Sequence, residues 1–495
     1  MVKRRLLGVL ALTALIGTVI TTTASATSSG GGDGYGAAQA AANPFVDQNV
    51  FCKSGTPIAP GTRNSSSPGV TPTEITVTDM SIDTAALRRL TGSDLQDFYA
   101  AYRAFWNEVN KCGGINGRKI NYKVAKYNPV APDQTGHLQA LCLKATEDYK
   151  SFLVVATGPP QVQNCVAIKH KTIMLASTGV LDSEYKDSKG RIVTFTPGGD
   201  ASARAFIADA KAQGTFKGKT VAILGANNTP TAIGDQQRQY VDGFKGAGID
   251  VATYEVLPCT GTVCTQGISG AVGRLKAKNV DAIVMTQNVS VTTVGSIWRE
   301  LRNQSLKVPV YDAFTDSLNG DSGLGALVRS AGADGANFAE SAGWYATKLY
   351  DIHNGWRIGT SKETPFAKMC TATLAKANNE RQYLYNEQDI SNGRWGGTTI
   401  ICQHVRAMAS AIWSLGANVT TERMVTALRN EKRVDYWDTG ASFRDKQWFM
   451  DGQLDPTKAM TAKFTYPCPL PRPTPGEGCF LAIDRPARVR TIPTK

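Results

Sequence analysis

The stretch Asp94–Val124, DLQDFYAAYRAFWNEVNKCGGINGRKINYKV, constrains the fold of this chain more than any other. Leu95, Phe98, Tyr99, Tyr102, Phe105, Trp106 and Val109 recur at helical spacing and give a broad apolar face meant for burial. Gly113 and Gly114 stop that helix, because glycine accepts the left-handed conformation that closes a helix C-terminus. Asn116-Gly117 then turns the chain, and Ile120, Tyr122 and Val124 alternate as a strand. With Ile75 and Val77 supplying the strand before the helix, the stretch is half of a βαβ unit.

The same alternation continues on both sides. Strands are predicted at Ile75–Thr78, Ile120–Ala125, Phe152–Ala156 and Thr172–Ala176, with a helix marked by Leu138, Leu141, Cys142, Ala145 and Tyr149 between the second and third. Short apolar strands separated by helices imply a parallel sheet covered on both faces. A second run begins near Pro197, with strands at Thr220–Leu224, Val251–Val256, Ala282–Met285 and Val308–Tyr311. Helices lie between them, one carrying Ile233, Gln237, Tyr240, Val241 and Phe244, another Ile297, Trp298 and Leu301. Two successive βα sheets imply an α/β protein of two lobes. Beyond about Gly335 the pattern turns helical, with Ile401, His404, Val405, Met408 and Ile412 on one face and a shorter helix at Thr421–Asn430.

The run EVNKCGGINGRKI, Glu108 to Ile120, resembles the end of the first helix in type I periplasmic binding proteins. The subgroup it is most similar to is the branched-chain amino-acid-binding proteins that feed ABC importers, whose pattern is V-N-x-x-GGI-x-G-x-x-I. Judged by element order, the resemblance covers about Thr71 to Asp484. It implies two Rossmann-like lobes with parallel-rich sheets joined by a three-strand hinge, the Venus-flytrap arrangement. Residues 71–196 and 335–434 would form the first lobe, and 197–334 with 435–495 the second. The segment TYPCPLPRPTPGEGC is longer than the family usually carries there and reads as a stapled surface loop.

Residues 1–26 read as a secretory signal: Lys3, Arg4 and Arg5, an apolar run from Leu6 to Ile20, then Ala24-Ser25-Ala26, with cleavage expected after Ala26. The alternative is a retained anchor, for which the run is short. No other stretch is long and apolar enough to span a membrane, so the mature chain is expected to be extracytoplasmic, in the periplasm or cell envelope. Residues 27–70 are rich in Gly, Ser and Ala and read as a flexible extension, although Cys52 suggests that the later part is docked. Ten cysteines in an exported chain imply disulfides. Ordered by proximity, the pairs are Cys259 with Cys264, Cys468 with Cys479, Cys142 with Cys165 and Cys370 with Cys402, leaving Cys52 with Cys112. Spacing alone does not fix this connectivity. No CxxC or Cys/His cluster supports a zinc site, and neither a metal nor a cofactor is expected. The net charge of +13 is scattered rather than gathered into runs. Scatter and export argue against nucleic acid and point instead to anionic polymers of the cell envelope.

In open parallel sheets ligands sit beyond the carboxyl ends of the strands. That rule nominates Ser81 and Asp83 after the first strand, Gln161, Gln163 and Asn164 after the third, and Ser177 and Thr178 after the fourth. In the second lobe it nominates Asn228, Gln287, Asn288, Asp312 and Phe314. In the resembling family, hydroxyls and backbone N–H groups on the third- and fourth-strand loops hold a ligand carboxylate, and an acid with aromatics from the second lobe holds the ammonium. Here the third loop is GPPQVQN rather than serine-rich, Val180 falls near the family's second threonine, and Phe314 falls where the acid should be. Each residue also has a structural role open to it: Gln163 and Asn164 as helix caps, Ser177 and Thr178 as turn formers, Asp312 in an ion pair, Gln287 and Asn288 as satisfiers of loop backbone.

No GxSxG elbow, HExxH or GxxxxGK[ST] loop is present, and the four histidines are dispersed. The expectation is a non-enzymatic solute-binding protein for a small polar molecule, an amino acid or related metabolite, serving an ABC permease or a membrane sensor. The alternatives are an envelope interaction protein with a degenerate pocket, or a hydrolase on the same fold.

Overall fold

The structure, a computed structural model, describes residues 43–47, 49–53, 60–64, 67–91, 96–129, 131–156, 162–176, 180–194, 198–227, 232–259, 264–286, 289, 291–313, 321–348, 365–382, 393–430, 458–469, 478–483, 490–491 and 493. The first sheet holds β1 (Glu74–Asp79), β2 (Lys119–Val124), β3 (Leu153–Ala156), β4 (Ile173–Ala176) and β5 (Ile192–Thr194), all parallel in the order β2-β1-β3-β4-β5. The second holds β6 (Val221–Asn227), β7 (Val251–Pro258), β8 (Ala282–Met285), β9 (Val310–Asp312) and β10 (Trp344–Lys348), parallel in the order β7-β6-β8-β9-β10. Two antiparallel strands, β11 (Lys458–Thr465) and β12 (Cys479–Ala482), extend it, and β13 (Arg490–Thr491) pairs with β11. The two sheets therefore repeat one topology, the order produced when each right-handed crossover lays its helix on a face of the sheet. The architecture is α/β with two parallel-rich sheets.

The aromatic stripe forms the helix Phe98–Lys111, whose N-terminus is capped by the Asp97 carboxylate accepting the Ala100 N–H at 3.1 Å. Tyr99, Tyr102, Phe105, Trp106 and Val109 are buried. The helix Gly393–Ser414 packs against it, and Ile401, Val405, Met408 and Ile412 share its core. Around the second sheet the rings of Trp298 and Trp344 lie 5.7 Å apart, and Phe464 and Phe480 close on Trp344 at 5.1 and 4.9 Å. Among the described residues no helix is long and apolar enough to cross a membrane.

One boundary differs from the sequence reading. The strand β10 pairs with β9 and β11, so residues 344–348 belong to the second sheet and not to the 335–434 portion of the first lobe. The later part of the extension 27–70 is docked, as Cys52 suggested. Phe45 and Phe51 are buried, and the buried Arg406 guanidinium donates to the carbonyls of Phe45 at 2.5 Å and Asp47 at 2.6 Å. Arg406 also lies over the rings of Phe51 and Phe366, at 5.9 and 5.6 Å. The low-complexity composition around them hides these two aromatic anchors. Disulfides join Cys52–Cys112, Cys142–Cys165, Cys259–Cys264, Cys370–Cys402 and Cys468–Cys479. Residues 1–42 and the hinge crossings expected near 196 and 434 lie outside the described residues, while the crossing expected near 335 falls within the helix Asp321–Ala342.

Candidate functional site

The carboxyl ends of β1, β3 and β4 in one lobe, and of β6, β8 and β9 in the other, are where both sheets release their chain into loops. The tip of β1 is the best described. Its last residue, Asp79, is buried, as are Val77 and Thr78 before it. The Tyr122 hydroxyl donates to one carboxylate oxygen at 2.7 Å and the Ser81 N–H to the other at 2.7 Å. Burial nevertheless pushes the Asp79 carboxyl up to about 6, because these hydrogen bonds offset only part of the lost hydration. The Tyr99 hydroxyl donates to the Ser81 carbonyl and accepts the Tyr127 N–H at 2.9 Å. Burial raises the Tyr99 phenol, and the nearby Asp79 charge raises it further, so it stays a donor at any physiological pH.

Ser81 is buried within this network. Asp83 is committed to structure. Its carboxylate caps the next helix through the N–H groups of Ala85 and Ala86, at 3.1 and 3.3 Å, and pairs with Lys126 at 3.0 Å. Gln163 is buried just ahead of the helical turn Asn164–Lys169, while Asn164 is exposed, and neither makes the cap considered above. Asp312 is buried at the end of β9. Gln161, Ser177, Thr178, Asn228, Gln287, Asn288 and Phe314 lie outside the described residues.

The sequence reading missed two groups at the tips. Asp79 with its phenols was one, and its signal was an acid at the carboxyl end of a strand. Gln236 is the other. Its fully buried amide oxygen accepts the Ala226 N–H at 3.1 Å and the Thr286 hydroxyl at 2.5 Å, and its amide nitrogen donates to the carbonyls of Ala226 and Ala232 at 2.9 and 2.8 Å. One side chain thus fastens the ends of β6 and β8 together. Replacing it with leucine leaves these buried groups without partners, and Gln236→Leu is expected to lower the unfolding free energy by about 2 kcal/mol. A urea titration reads this directly, and an unchanged midpoint would show the amide to be dispensable.

A charged group lies where the first sheet gives way to the second. Asp200, buried in the helix Gly199–Ala212, accepts the Asp182 N–H at 2.9 Å and the Gln239 amide at 3.0 Å and pairs with Arg238 at 2.6 Å. Arg204 pairs with Asp182 at 2.6 Å. Glu184, on the helix Asp182–Asp187, is pushed up to about 7 by burial and by the charges of Asp235, Asp200 and Asp187.

No family model and no curated protein matches the chain. Solved structures do match it. A fatty acid ABC transporter substrate-binding protein from Thermomonospora curvata is 17% identical, with 81% of this chain and 90% of that one covered at a TM-score of 0.53. A solute-binding protein of an R. palustris ABC transporter in complex with 4-hydroxybenzoate is 14% identical, with 85% and 98% covered at 0.55. A branched-chain amino-acid ABC transporter protein from Thermus thermophilus with bound valine is 12% identical, with 83% and 95% covered at 0.55. At such identities the likeness establishes the fold, that of the type I periplasmic binding proteins.

Proposed function

We propose that the chain is an extracytoplasmic solute-binding protein of an ABC importer, capturing a small molecule that bears a carboxylate, amino acids included, between its two lobes. The observation that carries this reading is the repeated parallel sheet. Open parallel sheets of this kind take their ligands beyond the carboxyl ends of the strands, and the chain has two of them. Support comes also from the similar structures, whose named ligands, a fatty acid, 4-hydroxybenzoate and valine, all carry a carboxylate. The five disulfides fit an oxidising compartment. Ser81, Gln163 and Asp312 would contribute from the described part of the site, and the loops around Ser177, Asn228 and Gln287 would supply the remainder. A ligand that touches both lobes only when they close stabilises the closed form by its differential affinity for the two states. The closed form is what a permease would read.

The test is a thermal-shift panel of branched-chain amino acids, aromatic acids and fatty acids, with turnover measured in parallel. A true ligand at a hundred times its dissociation constant adds about 2.7 kcal/mol, a rise of several degrees in Tm. A folded protein whose Tm no carboxylate moves would sink the proposal. Turnover of any member would replace it with an enzymatic one.

A further inference from the structure

We propose that the base of the first sheet, the edge where its strands begin, is a docking surface for a linear phosphate-bearing polyanion. The carrying observation is a row of three lysines held in the left-handed backbone conformation. Lys150, Lys171 and Lys189 have φ of 49°, 54° and 53°, and each stands just ahead of one strand, β3, β4 and β5 in turn. The Ser151 N–H bonds to the Ala145 carbonyl and the Thr172 N–H to the Val166 carbonyl, both at 3.0 Å. This is the link across a helix end that forces the residue before the donor into the left-handed region. Glycine and asparagine enter that region at least cost, and a long side chain has no conformational reason to be there.

The second lobe supplies an internal control. At the same topological positions, ahead of β8, β9 and β10, it carries Asn279, Ser305 and Gly343, with φ of 49°, 55° and 92°. The start of β2 likewise uses Asn116 and Gly117. Among the described residues, glycine, asparagine or serine holds the left-handed positions elsewhere, and lysine holds them along this one edge of one sheet. Because β3, β4 and β5 are consecutive neighbours, the three backbones stand roughly 5 Å apart in a line. All three lysines are exposed, as are Lys169 and Lys186 beside them. Among the described residues none of the three pairs with a carboxylate. Of the acids on the neighbouring helix ends, Glu147 approaches His170 at 3.8 Å, and Asp148 and Asp187 are exposed.

The chemistry of the edge selects the partner. Ammonium groups are point charges suited to phosphate oxygens. The exposed large hydrophobic residues among those described, Val50, Ile233 and Ile483, all lie on other segments, so this edge offers nothing to insert into a bilayer. A single row also matches a strand of charge better than a plane. The edge lies at the opposite ends of the strands from the ligand loops, leaving the cleft free while the polymer is held.

Lysines near helix C-termini also complement the helix dipole, so the test must separate the two roles. The probe is long-chain inorganic polyphosphate, titrated against the intact protein over a range of salt concentrations. The Lys150→Asn/Lys171→Asn/Lys189→Asn variant is expected to bind at least ~10-fold more weakly and to lose about 2 from the log–log salt slope, for three phosphate contacts. Its Tm should hold or rise, because asparagine fits the left-handed turn. A control variant in the second lobe, Lys217→Asn/Lys219→Asn/Lys278→Asn, removes the same charge and should bind as the parent does. Equal weakening in both variants would overturn the localised site. A triple variant that binds normally but melts earlier would assign the lysines to the helix ends. Binding to phosphatidylglycerol vesicles without binding to polyphosphate would overturn the choice of partner.

Discussion

Arg118→Met should unfold this protein more readily than any surface change, by about 3–5 kcal/mol, the range for stripping a buried charged group from its partners. Arg118 is fully buried, and its guanidinium is held by carbonyl oxygens rather than by an acid. It donates to Thr71 at 2.9 Å, to the Asn64 main chain and side chain at 3.2 and 3.1 Å, and to Ala417 at 2.7 Å. These acceptors come from two segments far apart in sequence, the run before β1 and the turn after the helix Gly393–Ser414, and Arg118 joins both to the turn before β2. Asn64 reinforces the junction through Val419, accepting its N–H at 2.8 Å and donating to its carbonyl at 3.0 Å. Gly114 adds a steric reason for the arrangement, because a side chain there would meet the Arg118 carbonyl. Methionine fills the volume but leaves those buried carbonyls unpaired. Chemical denaturation measures the loss. A drop below 1 kcal/mol would mean that water reaches the carbonyls and that Arg118 is not the pin.

Asp79→Asn should do the reverse at neutral pH. The Asp79 carboxyl titrates near 6 in the folded protein against 3.8 for the ordinary group, with burial as the main cause. The folded state therefore binds its proton more tightly than the unfolded state, and stability rises as pH falls from about 6 towards 4. Above 6 the folded protein carries a desolvated charge, costing on the order of 3 kcal/mol for a shift of about two units. Asparagine keeps an oxygen for Tyr122 or Ser81 and removes the charge, so the variant should be about 2–3 kcal/mol more stable at pH 8. The advantage should vanish by pH 4. His404 works the opposite way. Burial holds its imidazole down to about 3, and the Tyr102 hydroxyl lies 2.7 Å from its Nδ1. Its contribution is present above 6.5 and is lost as pH falls towards 3. Urea midpoints of parent and variant at pH 8, 6 and 4 test the difference, which cancels His404 from both. A gap that stays constant with pH would refute the assignment to Asp79.

Much of the fold was legible because several of its strands are apolar runs and the helix Phe98–Lys111 carries six large apolar residues at one spacing. Tyr99, Tyr102, Phe105, Trp106 and Val109 are buried as that spacing predicts, and Phe98 is packed against the same core. The strands that extend the second sheet were not legible. In β10, WYATK, and β11, KAMTAKFT, apolar residues are mixed with lysine and threonine, and antiparallel strands need only one apolar face. The docked arm was legible only through Cys52. Composition is an average, and two phenylalanines among glycine, serine and alanine scarcely move it, yet two buried rings and one guanidinium join the disulfide in holding the segment. At the site, tip residues follow from topology alone. Whether a polar tip residue faces ligand or backbone depends on neighbours supplied by other strands. Asp83 became a cap, and Asp79 became the buried acid.

The arm also sets the order in which this chain can finish folding. Phe45 and Arg406 are 361 residues apart, and the Asn43 amide reaches the Ser410 hydroxyl at 2.8 Å across 367. Residues synthesised near the beginning must therefore wait for nearly the whole polypeptide before their resting place exists. A chain cut short before Gly393 would keep Phe51 against Phe105 but leave Phe45 without Arg406, a visible mark of incompleteness for any chaperone or protease that samples it.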